Sequence, residues 1–598
     1  MRKYLRVVLA VVLAISSVLL QAQTGTTATQ ATTTKHAVRK KALKESETER
    51  EIHELREQLQ SQQAEINALK QENEDKDAKQ REAQQSVQDA EAAAERANSK
   101  GDSLSTSVST NNADVEALKN SVSDLKETNV RLAQTISDTK KDINAAIETP
   151  MALRYKGVTI TPVAFFALES VWRQRSINSD VNTPFTSTPF PNAGNYYVSE
   201  FNLSGRQSRI GALFQGDARS VKLAGYVEAD FLSGGTTSND NQSNSYTLRQ
   251  RQVWGQAALH NGFTVTGGQM WSLVAETKKG TDNRTENLPA DIDAQYNVGF
   301  SWLRVPAIRF QQTLGITTVA ASIENAQITG FNNGGPNGPT NYFFGGAGNN
   351  GGLYNNTTTY TNSVSPDFVV KAAFDPKVGH FEVGGTARFF RDRYYPNASA
   401  TTPSSDGATN DTKVGGGLFA NARFKATKYA SVGFHFLGGD GVGRYGTAGL
   451  SDVTVHPDGT LEPLRAYQGL FSLELHPAKK LDVFGYYGGE YVQRTLYLND
   501  KGQQVGYAPL SQNNAGCFTE GLPASGGATP AGSCSALTRY ISEPTVGFTY
   551  RFYNSPKYGR IQEEIQYSYL KKDSWTGTGG APQATNNMLF TSMRYYIP

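Results

Sequence analysis

The sequence predicts an all-β transmembrane barrel of about sixteen antiparallel strands preceded by a long α-helical coiled coil, and three observations predict it. From Gly157 to Pro598 apolar and polar residues alternate: Val221, Leu223, Val227, Ala229 and Phe231 share one face, and Lys222, Tyr226, Glu228 and Asp230 the other. A period of two is the signature of a strand. The breaks sort into two length classes, tight turns at 215–220, 260–262, 375–379, 425–429, 476–480 and 554–558, and wide Gly/Asn/Ser/Thr-rich loops such as 233–245, 326–366 and 496–539. Short turns on one side and long loops on the other describe an outer-membrane barrel. Upstream, from Ile52, the apolar period changes to seven.

Composition agrees with this class. Among 598 residues mean hydropathy is −0.48, and past the N-terminus no apolar run reaches the roughly 20 residues of a membrane helix. Barrel strands need only about ten residues with every second one apolar. Gly 57, Tyr 28 and Phe 28 suit tight turns and interfacial aromatic belts. A net charge of +3 is too small to argue for nucleic acid.

In chain order, Arg2, Lys3 and Arg6 precede the apolar stretch 7–20 and the small residue Ala22, so 1–22 reads as a secretory signal peptide. Residues 23–44, rich in Thr, Gln and Ala at their start, read as a flexible linker. Over 45–149 one heptad register persists: Ile52, Leu59, Ile66, Val115, Val122 and Ile136 fall at a, and Leu55, Leu69, Leu104, Leu118, Leu125 and Leu132 at d. That predicts a periplasmic coiled coil, whose Val or Ile at a and Leu at d lean towards two strands, and a continuous rod of roughly 140 Å at 1.5 Å per residue. Residues 150–598 form the barrel. Its strands are expected from Gly157 and near 200–214, 220–232, 246–259, 262–271, 306–314, 316–325, 367–374, 379–391, 412–424, 428–438, 464–475, 480–494, 540–553, 559–572 and 587–597. An even count puts both ends on the short-turn, periplasmic side.

A bore of this size holds water rather than a packed core, so the chemistry lies on the inward face. Alternation places Arg249, Arg251, Arg309, Lys371, Arg388 and Arg423 there on one arc, with only Asp367 and Glu382 as acids on the same strands. These six are the candidate pore-lining, solute-binding residues, since arginine holds a carboxylate through paired hydrogen bonds. Glu228, Asp230 and Glu490 are lumen acids outside that arc. Cys517 and Cys534 share the 496–539 loop, expected outside the cell, and are expected to form a disulfide. No His lies in that loop. His435 is read as the one histidine within a strand, turned to the lumen by Phe434 and Phe436. No catalytic residue, metal or cofactor is called for.

The runs 204–211 (SGRQSRIG), 248–256 (LRQRQVWGQ) and 267–272 (GGQMWS), with 307–311 (AIRFQ) and 321–325 (ASIEN), resemble those of the DcaP-like trimeric outer-membrane porins. The resemblance covers the barrel. It implies a homotrimer in outer-membrane lipid, an N-terminal periplasmic coiled coil, and diffusion of small, often anionic, organic solutes. It also implies that the loop after the fifth strand, 272–305, folds into the bore. The first strands would then face the three-fold axis, which would explain Gln207, Arg209, Gln250 and Gln252 as outward polar residues. The chain departs from the usual terminus of such barrels in ending at Pro598 after Tyr596 and Ile597.

The expected function is therefore passive, selective diffusion of small, dicarboxylate-like anions across the outer membrane of a Gram-negative-type bacterium. The alternatives are a structural envelope protein whose rod reaches the peptidoglycan and, further off, an outer-membrane hydrolase, which needs a Ser with a His base.

Overall fold

The computed structural model describes residues 118–130, 132, 134–136, 153–232, 245–345, 361–524, 527–529 and 534–598. The expected signal peptide, linker and most of the expected coiled coil lie outside them. A helix over 118–130 is described, with Leu118, Val122 and Leu125 of the a/d stripe exposed.

From Val158 on, the described residues form a closed antiparallel barrel of 16 strands. They are β1 (Val158–Arg173), β2 (Glu200–Ser204 continued by Arg209–Ala218), β3 (Val221–Asp230), β4 (Arg249–Leu259), β5 (Phe263–Trp271), β6 (Arg304–Leu314), β7 (Thr317–Glu324) and β8 (Asp367–Phe374). They continue as β9 (Gly379–Tyr394), β10 (Thr409–Thr427), β11 (Ala430–Asp440), β12 (Arg465–Ala478), β13 (Leu481–Val492), β14 (Thr538–Ser555), β15 (Gly559–Ser574) and β16 (Gln583–Tyr596). Each pairs with the next, and β16 closes on β1 from Phe165↔Tyr596 to Arg173↔Met588. Closure leaves no unpaired edge, which backbone in lipid requires. No described helix is long and apolar enough to cross a membrane.

Alternation sorts the faces as the sequence predicts. Phe166, Leu168, Val227, Val383, Leu418, Phe436 and Val546 are exposed on the outside, an apolar belt that lipid covers. Inside, the bore is narrower than the open, water-filled lumen expected, because inserted loops pack against part of its wall. Val171, Phe185, Ile292, Leu464, Ile541 and Phe590 form one buried cluster built from strands and inserted loops.

Two local irregularities overturn part of the expected face assignment. The second strand breaks at 205–208, and a bulge sets Glu228 opposite Gln252 but Ala229 opposite Gln250, leaving Arg251 as the extra residue. Each shifts the parity of the residues beyond it, as a bulge must. Gln207 therefore donates to the carbonyl of Ile292 in the lumen, Arg209 approaches Glu228 at 3.6 Å, and Gln252 is buried. Of the four polar residues expected to face outward, only Gln250 is exposed. The outer face of the early strands carries glycines instead: Gly225, Gly255 and Gly267 stand abreast on β3, β4 and β5.

Candidate functional site

Residues 272–303, between β5 and β6, turn into the barrel, and backbone geometry fixes how far they go. Gly299 has φ +85, and a Cβ there would lie 2.1 Å from the carbonyl oxygen of Gly469 on β12. Only glycine suits both the torsion and the contact. The loop thus crosses the lumen and meets the far wall.

Wall carboxylates hold it there by its own amides. Leu273 N–H donates to Glu324 Oε1 (2.8 Å), Thr277 N–H to Glu382 Oε1 (3.0 Å), Gly299 N–H to Glu490 Oε1 (3.0 Å) and Val298 N–H to Glu543 Oε2 (3.0 Å). A buried loop leaves backbone donors without water, and these acids satisfy them. Wall cations take its carbonyls: Lys371 Nζ donates to Ala275 O (2.8 Å) and Arg309 to Thr281 O (3.1 Å), Arg309 also donating to Trp271 O (2.6 Å) at the end of β5. Arg423 pairs with the loop carboxylate Glu276 at 3.0 Å.

The six predicted cations all face inward, but they are not one free ladder. Arg309, Lys371 and Arg423 anchor the loop. Arg388 pairs with Asp367 (3.2 Å) and with Asp452 (2.9 Å) of the segment 441–464, which it pins to β9. Arg249 and Arg251 converge on acids of the neighbouring strand, Arg249 on Asp230 (2.8 Å), and Arg251 on Glu228 (2.6 Å) and Asp230 (2.7 Å). The arc is therefore not poor in acids, because strand pairing brings Glu228 and Asp230 of β3 directly against β4.

Around those two acids the balance is still positive. Arg209 faces Glu228, Arg284 of the loop lies over the Tyr226 ring (4.7 Å), and Arg304 lies over the Trp271 ring (4.9 Å) within electrostatic range of Arg209, Arg249 and Arg251. Arg209 Nε, Arg251 Nη2 and Arg304 Nη1 are buried without hydrogen-bond partners among the described residues. Alternation places Arg209 outside because of the parity shift, and it assigns no face to Arg284 or Arg304, which lie in the loop and at its junction with β6.

Across the lumen the sign reverses. Asp291 of the loop sits among Glu543, Asp293, Glu474 and Glu564, and both of its carboxylate oxygens are buried and unpartnered. Burial and these neighbours raise its pKa well above the ordinary range. Burial likewise raises Asp293 to about 6, against the Arg173 charge and the amide of Thr183. No group of three or more metal-ligating residues occurs among the described residues.

His435 is on the lumen face, as expected, and is buried there. Its Nδ1 meets Asn421 Oδ1, and its Nε2 lies 2.9 Å from Ser301 Oγ, to which Gln468 Nε2 also donates at 2.8 Å. Nor is it the one strand histidine: His380 on β9 bridges Asp375 (2.8 Å) and Glu382 (2.9 Å). Cys517 and Cys534 are joined, S–S 2.08 Å.

No protein-family model matches the chain, and no curated protein matches it in sequence. Among solved structures it is similar to the outer membrane channel DcaP of Acinetobacter baumannii, with 15% identity and a TM-score of 0.50 over 74% of this chain and 99% of that one. Weaker likenesses are to OmpT of Vibrio cholerae (10% identity, TM-score 0.37, 74% of this chain and 99% of that one) and OprB of Pseudomonas putida (12%, 0.37, 73% and 94%). The DcaP match shows the fold, a porin-like outer-membrane channel barrel.

Proposed function

We propose that the chain is a passive outer-membrane channel for small anionic organic solutes, of which dicarboxylates are the type. The observation that carries this is the cluster of Arg209, Arg249, Arg251, Arg284 and Arg304, five cations against the three acids Glu228, Asp230 and Glu286. Beside the inserted loop Arg284 is exposed and Arg249 half-buried, so these two offer donors to a carboxylate, and the buried guanidinium groups behind them add like charge. Arg249 keeps the solute-binding role, Arg251 holds Glu228 and Asp230, and Arg309, Lys371, Arg388 and Arg423 act by holding loops. The likeness to DcaP, an outer membrane channel, supports the channel reading. The short-turn rim is then periplasmic, the heptads place a coiled coil on that side, and the homotrimer rests on the family resemblance against the a/d lean towards two strands. The test is a reversal potential across planar bilayers in a salt gradient, with succinate then replacing chloride. Anion preference is expected, and cation preference would overturn the selectivity.

One observation favours a second reading, acyl hydrolysis: Ser301, His435 and Asn421 stand in the order nucleophile, base and orienting group. Ser301 and His435 are 2% and 7% exposed, which admits no substrate in this conformation. Turnover of a p-nitrophenyl ester that vanishes in Ser301→Ala would establish it. A tether through the rod is compatible with a channel. Deleting 45–147 would keep conductance and lose envelope integrity if the rod reaches the cell wall.

A further inference from the structure

The outer face of the barrel holds a recess of about 730 Å³ over β12–β15, walled by Leu473, Leu481, Val483, Val546, Phe548 and Ile565. Its cause is in the sequence. Gly485 takes an outward position on β13 between Val483 and Tyr487, so the apolar surface is interrupted there. A Cβ on Gly485 would meet nothing closer than Thr545 O at 3.9 Å and Val546 Cγ1 at 4.0 Å. The backbone would accept a side chain, and the space is left by its absence.

We infer that this recess seats one acyl chain of a phospholipid from the periplasmic leaflet, with its phosphate at Lys479 and Lys480. This rests on the outer-membrane reading of the barrel. The recess starts at Leu475 and Leu481, which flank the short turn carrying both lysines. Lys479 and Lys480 are exposed, and neither is in an ion pair among the described residues. From Leu481 to Gly485 a strand advances about 13 Å at roughly 3.3 Å per residue, close to the ~15 Å half-thickness of a hydrocarbon core. Tyr567 lines the inner end, its hydroxyl donating to Asn587 Oδ1 at 2.6 Å. Glu563 also faces outward on β15, two residues rimward of Ile565, and leaves room for an amine headgroup beside the phosphate.

The test uses the full chain in mild detergent with dioleoylphosphatidylglycerol, read by native mass spectrometry, with conductance measured on the same preparations. One lipid retained per barrel is expected. Gly485→Leu should lower retention at least tenfold at equal lipid with unchanged conductance, and Lys479→Gln with Lys480→Gln should lower it severalfold. Unchanged retention in Gly485→Leu overturns the seat, and so does a changed oligomer mass in that variant, which would make the recess a subunit contact. Absence of conductance in the wild type would count against the channel instead, so the two failures are told apart.

Discussion

The backbone N–H of Val298 donates to Oε2 of Glu543 at 3.0 Å, joining residues 245 apart in sequence across the barrel. With Gly299 on Glu490 it fastens the inserted loop to the wall opposite its origin. A hydrogen bond contributes about 0.5–1.5 kcal/mol net, and about 1.4 kcal/mol is tenfold in population. Glu490→Ala with Glu543→Ala is expected to free the loop tip, raising single-channel conductance and current noise while the barrel still resists heat. Unchanged conductance would mean that the near-side anchors suffice.

Arg251 separates two buried acids, Glu228 and Asp230. Removing one partner of a buried pair costs about 3–5 kcal/mol. Arg251→Ala should lower the melting temperature and, together with Arg249→Ala and Arg309→Ala, shift the reversal potential towards cations. Arg304 has no ion pair among the described residues, so Arg304→Gln should shift the potential the same way with less loss of stability. A potential that stays fixed in both would remove the arginine cluster from selectivity.

Asp291 and Asp293 bind their protons more tightly in the folded loop than in an unfolded chain, because burial raises both. A carboxyl raised in the folded state stabilises fully below its unfolded pKa, ~3.9, and that stability is lost as pH rises through the folded value, about 6 for Asp293. Above it the charge of Asp293 is added to the acids already beside Asp291. Loop docking should therefore weaken, and conductance rise, as pH rises through about 6. Asp291→Asn with Asp293→Asn should flatten that profile, and an unaltered profile would place the titration elsewhere.

Cys517 is fully buried and bound to Cys534, 17 residues on. In the chain-entropy account a loop of this length gains about 3 kcal/mol. Alkylation without reductant should label neither cysteine. Cys517→Ser with Cys534→Ser should expose the 495–537 segment to protease and leave conductance intact. Labelling of both cysteines in the oxidised protein would remove the bridge.

Gly225, Gly255 and Gly267 make a flat patch on β3–β5, and small residues let proteins approach closely in lipid. If the early strands meet at a three-fold axis, Gly255→Leu should dissociate trimers in native mass spectrometry. Leu118→Asp with Leu125→Asp should weaken them less. A dimer in the wild type would mean that the a/d preference governs assembly.

The sequence by itself determined the class of fold, the strand count and nearly every strand boundary, because a two-residue period and the contrast between turn and loop lengths are local properties. It also determined which cations face inward on the regular strands, Arg309, Lys371, Arg388 and Arg423 among them, since parity carries along an unbroken strand. Tertiary structure decided the rest. The break at 205–208 and the bulge at Arg251 reversed the faces of Gln207, Arg209 and Gln252, because parity survives only while the register does. What each inward cation does was decided by partners from distant segments. Arg388 meets Asp452, Arg423 meets Glu276 and Ser301 meets His435, and such pairings exist only once the barrel has closed and its loops have turned inside it.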